Sequence, residues 1–126
     1  MPKILLWIDD QPESNQHYLP HLMPLGVLVI QCRSCNELAD VLMQFEKSLI
    51  TYPDSHLRVV TNRTCAKDVL ALRANSVLRD RPVLVFCWYV EKAAGYKNPD
   101  LKQWVSNEDS VLFNFASFES LDVAAE

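Results

Sequence analysis

The sequence predicts an α/β fold with three layers: a doubly wound, five-stranded parallel sheet with helices on both faces. Three observations carry that prediction. Five short apolar runs are spaced along the 126 residues. Each is followed by a stretch with helical periodicity, and alternation of this kind implies parallel strands joined by helical crossovers. Several runs are continuously apolar rather than alternating, as in strands buried on both faces.

Lys3 to Ile8 is the first strand, with apolar residues from Ile4 running without a break into Asp9 and Asp10. Ser14 to Met23 is a plausible first helix, short or kinked because Pro20 removes a backbone donor and clashes with the preceding turn. Val27 to Gln31 is the second strand. Ser34-Cys35-Asn36-Glu37 has the Ser-x-x-Glu form of a capping box. The helix it opens aligns Leu38, Val41, Leu42, Phe45 and Leu49 on one face. "TYPDSH" breaks it, and His56 to Thr61 is the third strand, rich in β-formers but carrying Arg58.

Cys65 to Arg79 is the third helix, with Ala66, Val69, Leu70, Ala74, Val77 and Leu78 as its buried stripe. Pro82 to Cys87 is the fourth strand. Val90 to Ala94 forms a short fourth helix ending at Gly95 as C-terminal cap. Leu101 to Ser106 is the fifth strand. Ser106 or Asn107 then caps a fifth helix to about Leu121, with Val111, Leu112, Phe115, Phe118 and Leu121 at helical spacing and acidic residues in the first turn. Right-handed crossovers favour a flavodoxin-like strand order, 2-1-3-4-5. With no repeat, linker or low-complexity tract, residues 1–126 read as a single domain. Ligands of such sheets sit beyond the carboxyl ends of the strands, which is where Asp9 and Asp10 fall.

Composition narrows the function. The net charge is −4 and no basic stripe is present, which argues against nucleic-acid binding. No apolar run approaches membrane-spanning length, and no signal peptide is evident, so a cytoplasmic protein is expected. Four cysteines are then expected as free thiols. With only Gly26 and Gly95, no glycine-rich phosphate loop exists.

Lys3-Ile4-Leu5-Leu6-Trp7-Ile8-Asp9-Asp10-Gln11-Pro12-Glu13, together with the order of elements and the total length, resembles a response-regulator receiver domain. The resemblance implies a Mg²⁺ site at the acidic pair. It also implies an acceptor Asp ending the third strand, a Thr or Ser ending the fourth and a Lys ending the fifth, the set that phosphoryl transfer requires. This sequence departs at three of these positions. Thr61 or Asn62 stands at the acceptor position, and an amide cannot form an acyl phosphate. Cys87 stands at the Thr/Ser position. Ser106 or, preferably, Asn107 replaces the Lys, because Trp104 then falls at the receiver's aromatic position three residues earlier. The sequence therefore looks like a pseudo-receiver. Asp9 and Asp10 are expected to bind Mg²⁺ weakly or, in the plainer reading, to cap the first helix. No other cofactor is expected.

Cys32 and Cys35 have redox or half-zinc spacing, but Cys65 and Cys87 fall near the carboxyl ends of other strands. The second and fourth strands lie roughly 14 Å apart in the expected order, so four thiols do not converge on zinc. His17 and His21 are spaced i, i+4 beside Pro20 and read as surface residues. Aromatic residues crowd the last third of the chain. In receivers the face made by the fourth helix, fifth strand and fifth helix binds partners, and Trp104 and Phe113 are expected there. The expected function is a non-catalytic signalling module acting through a protein partner or a homodimer on that face, not an enzyme. The alternatives are a small nucleotide-binding or hydrolytic enzyme using a crevice at Asp9, Asn62 and Cys87, and an atypical receiver phosphorylated on Asp9 or Asp10.

Overall fold

A computed structural model describes residues 2–74 and 77–119. Five strands, Lys3–Ile8 (β1), Val27–Cys32 (β2), Leu57–Thr61 (β3), Val83–Phe86 (β4) and Gln103–Ser106 (β5), form one sheet. Its order is β2-β1-β3-β4-β5, with every neighbouring pair parallel. The fold is α/β and flavodoxin-like, as expected. The period-two alternation of β1 divides its residues between two cores. Ile4, Leu6 and Ile8 join Leu38, Leu42, Val59 and Val69 on one face. Leu5 and Trp7 join Leu22, Val60, Leu84, Trp104, Leu112 and Phe115 on the other.

The helices are shorter and more broken than periodicity predicts. The first is a 3₁₀ segment, Pro12–Tyr18, then one α-turn, Leu19–Leu22 (α1), then a second 3₁₀ turn, Met23–Leu25. Pro20 sits at the start of α1, where its missing N–H costs little. Gly26 then takes the left-handed conformation (φ 78°) that turns the chain into β2. Ser34 caps Cys35–Gln44 (α2), its hydroxyl accepting from the Glu37 N–H at 3.1 Å. The Glu37 carboxylate returns to the Arg33 N–H instead of that of Ser34, a one-residue shift of the expected box.

α2 stops at Phe45, whose φ of −112° breaks the phase before Glu46–Leu49 (α3). Leu38, Leu42 and Leu49 are buried as expected, but Phe45 is 46% exposed. Arg63–Ala71 (α4) begins two residues before the expected start and gives way to a 3₁₀ turn, Leu72–Ala74, well before Arg79. Ala74, expected in the buried stripe, is exposed. Val90–Ala93 (α5) runs on into a 3₁₀ turn through Gly95, which takes no left-handed conformation and so caps nothing. Asp109–Ala116 (α6) starts later than expected, with Glu108 at its cap. It ends at Ala116, and Phe118 turns left-handed (φ 64°) beyond it; Leu121 lies outside the described residues. No helix among the described residues is long and apolar enough to cross a membrane.

Two arginines are buried in this frame. Arg58 on β3 donates to the carbonyls of Phe115 (2.9 Å) and Glu119 (2.7 Å), and its guanidinium lies over the rings of Phe115 and Phe118. Arg81 donates to the carbonyls of Val77, Tyr52 and Leu49 and to the Asp54 carboxylate.

Candidate functional site

The parallel ladder continues one residue past the strand ends. The Asp9 N–H donates to the Cys32 carbonyl at 2.9 Å, and the Asn62 N–H to the Ile8 carbonyl at 3.1 Å. These bonds set Asp9 and Asn62 side by side at the carboxyl edge of β1 and β3. Asp9 makes an Asx-type turn, Oδ1 accepting from the Gln11 N–H at 2.8 Å. Its Oδ2 accepts from the buried Asn15 amide at 3.0 Å.

Asn62 ties the pair together. Its Nδ2 donates to Asp9 Oδ1 at 3.2 Å and to Asp10 Oδ1 at 2.6 Å. Its Oδ1 caps α4, accepting from the Cys65 N–H at 2.9 Å. The cap fixes which way the amide faces: with Oδ1 committed to the helix, the NH₂ group must point at the carboxylates. An amide NH₂, which cannot ligate a cation, faces both carboxylates, so the edge as it stands does not fit a Mg²⁺ ion held between them, and the acidic pair is held by protein donors.

The other strand-end positions resolve in the same way. Thr61 is fully buried, and its hydroxyl donates to the Asn62 carbonyl, so Asn62 and not Thr61 reaches the edge. Ser106 is buried, with Oγ accepting from the Glu108 N–H at 3.1 Å; Asn107 is the residue that reaches the edge. Cys87 is half-buried there, and burial raises its thiol pKa. Together Asp9, Asp10, Asn62, Cys87 and Asn107 line a crevice of about 570 Å³.

Sequence reasoning missed the far wall. Tyr18, from the first 3₁₀ segment, donates its hydroxyl to Asp109 at the start of α6. Phe86, Trp88 and Tyr89, at and just beyond the end of β4, line the crevice as well. The signal for the last two was present: an aromatic pair directly after a strand, at the edge where ligands bind. Trp104, assigned to a partner face, is instead 3% exposed and packs edge-on to Phe115 with ring centroids 6.3 Å apart. On β5 its side chain points into the core that α6 covers. Phe113 is half-buried against that same core, edge-on to His21, and not an exposed anchor.

All four cysteines are free. Burial raises the Cys32 thiol to about 11, with Glu37 adding to the shift, and burial also raises Cys35 and Cys65. None is poised as a thiolate nucleophile. Among the described residues no group of three or more His, Cys, Asp or Glu side chains could hold a metal ion. His17 and His21 are exposed and lie on separate helical segments, His17 against the Tyr18 ring.

Tyr18 links the crevice to pH. Burial, helped by the hydrogen bond to Asp109 and its charge, raises its pKa from 10.0 to about 12. The protonated phenol is thus favoured by folding. Its stabilisation is complete below pH 10 and is lost as pH rises from 10 to 12. Tyr18→Phe should remove that part of the alkaline loss, so the gap in urea midpoint between it and the unmodified protein should narrow across this window. A constant gap would mean that the Tyr18 pKa is not raised.

No protein-family model and no curated protein matches the chain. Among solved structures, a sensor protein from Polaromonas sp. JS666 is similar in shape, with a TM-score of 0.63 over 98% of this chain and 95% of that one. Sequence identity is 19%, so the likeness speaks for the fold.

Proposed function

We propose that this chain is a non-catalytic pseudo-receiver, a signalling module that works through protein–protein contacts. The observation that carries the reading is Asn62. At the end of the central strand β3, where a receiver has its acceptor carboxylate, both ends of the Asn62 amide are committed, one to capping α4 and the other to Asp9 and Asp10. An amide offers no nucleophilic oxygen for an acyl phosphate. Asp9, the nearest substitute, has both oxygens engaged by neutral donors. Nucleotide binding is disfavoured by the carboxylates of Asp9, Asp10 and Asp109 lining the crevice, which repel phosphates. The partner surface in this reading is the part of the receiver-type face nearest the crevice: Trp88 and Tyr89, leading into α5. The name carried by the structural neighbour, a sensor protein, agrees with a role in signalling.

Incubation with acetyl phosphate and Mg²⁺ should add no phosphoryl mass to the intact protein. A stoichiometric, hydroxylamine-labile adduct would overturn the reading. The complementary variant is Asn62→Asp. It replaces the bridging amide with a third carboxylate, so it should lose ~1–3 kcal/mol of stability without metal. Millimolar Mg²⁺ should restore its melting temperature while leaving that of the unmodified protein almost unchanged. Equal Mg²⁺ stabilisation of both proteins would show that the amide does not stand in for the cation.

A further inference from the structure

The crevice carries negative charge that nothing in its hydrogen bonding neutralises. Asp9 and Asp10 are held by side-chain amides and a backbone N–H, and Asp109 by the Tyr18 hydroxyl. Neutral donors occupy lone pairs but leave the charge in place. Among the lining residues Arg63 is the only lysine or arginine, against three carboxylates. Arg33, further along the same edge of the molecule, is paired with Glu13. Asp9 and Asp10 share the Asn62 amide, Asp109 is held apart from them by Tyr18, and among the described residues no three such groups gather into a metal-binding set. That distribution suits a dispersed cation better than a point ion.

The aromatic wall points the same way. Trp88 is 87% exposed and Tyr89 64% exposed, the first the most exposed large apolar side chain among the described residues. Both line the crevice that the carboxylates line. An indole face left in water beside carboxylates is a ready surface for a cation, and tryptophan is the strongest such face. A guanidinium is planar, stacks on indole and forks its N–H donors toward carboxylates, whereas an ammonium does only part of this. Trp and Tyr are also the side chains that most often anchor protein interfaces.

We propose that the crevice is the docking pocket for an arginine side chain of a partner protein, its guanidinium held between the Trp88 indole and the carboxylates of Asp10 and Asp109. The inference rests on the non-catalytic reading above and names the partner's chemistry at the same site. Charge complementarity supplies the occupant: an acidic pocket on a chain of net charge −4 fits a basic segment.

The test uses Trp88 emission, since Trp7 and Trp104 are buried. The probes are acetylated Gly-Arg-Gly amide, its lysine and citrulline counterparts, and free arginine. The arginine peptide should change the emission, bind several-fold more tightly than the lysine peptide and about tenfold or more tightly than the uncharged citrulline peptide, and weaken as salt rises. Trp88→Phe should abolish the signal. The double variant Asp10→Asn/Asp109→Asn should bind at least about tenfold more weakly while keeping its circular dichroism spectrum. An equal response to citrulline, or unchanged binding by the double variant, would overturn the proposal. Tighter binding of free arginine than of the peptide would also overturn it, by making the crevice a small-molecule site. Acetyl phosphate treatment of the same preparation separates the two readings. A phosphoryl adduct counts against the non-catalytic assignment, and failure to bind the arginine peptide counts against the docking pocket.

Discussion

Phe115→Ala is expected to destabilise the protein by ~3–5 kcal/mol, the range for emptying a buried phenylalanine site. Phe115 is 1% exposed and sits where α6 meets the sheet. Trp104 packs against its ring edge-on, the Arg58 guanidinium lies over it at 5.1 Å, and its carbonyl accepts from Arg58. The substitution removes the ring that both neighbours pack on, leaving Trp104 beside a void and Arg58 with one face uncovered. The melting temperature should fall by roughly 10–20 °C. Phe113→Ala, two residues earlier, is the control. Its ring is half-buried against the same core, so the loss should be ~1–2 kcal/mol. The two thermal melts are sufficient: equal losses would mean that α6 is rotated from the phase described.

Arg81→Ala is expected to cost ~3–6 kcal/mol, from the loss of three hydrogen bonds to backbone carbonyls, each worth ~1–2 kcal/mol. The side chain is 6% exposed and ties together two stretches of chain, Leu49 to Asp54 and the turn at Val77. Nε donates to the Val77 carbonyl at 3.0 Å, Nη1 to Tyr52 at 2.6 Å and Nη2 to Leu49 at 3.3 Å. The ion pair with Asp54 adds little, since that carboxylate is 55% exposed. Most of the loss therefore lies in the bonds to backbone rather than in the ion pair, which leads to a sharper expectation. Asp54→Asn should be nearly neutral, and Arg81→Lys should be almost as damaging as Arg81→Ala, because a single ammonium cannot reproduce the fork. Urea denaturation of the three variants checks the ranking. A large effect of Asp54→Asn with a small effect of Arg81→Lys would move the energy into the ion pair.

What the sequence alone determined is the order of the elements and the chemistry of one edge. Five apolar runs divided by helical stretches leave one sheet topology favoured by right-handed crossovers, and β2-β1-β3-β4-β5 is observed. Asp9, Asp10, Asn62, Cys87 and Asn107 meet because residues at the carboxyl ends of parallel strands share an edge whatever the side-chain packing. The tertiary structure decided the rest, for two physical reasons. Periodicity reports a buried face only while a helix keeps its phase. The break at Phe45 moves that ring into solvent, and the early end of α4 does the same for Ala74. Long polar side chains, in turn, are satisfied by backbone far away in sequence. Arg58 finds the carbonyls of Phe115 and Glu119, and Arg81 those of Leu49 and Tyr52. Every residue but proline carries the same backbone N–H and C=O, so side-chain identity does not mark which carbonyl will receive a buried guanidinium. Trp104 and Trp88 obey the same limit. Sequence assigned Trp104 to a partner face and passed over Trp88, yet the sheet buries Trp104 on β5 and leaves Trp88 87% exposed beyond β4, beside the carboxylates.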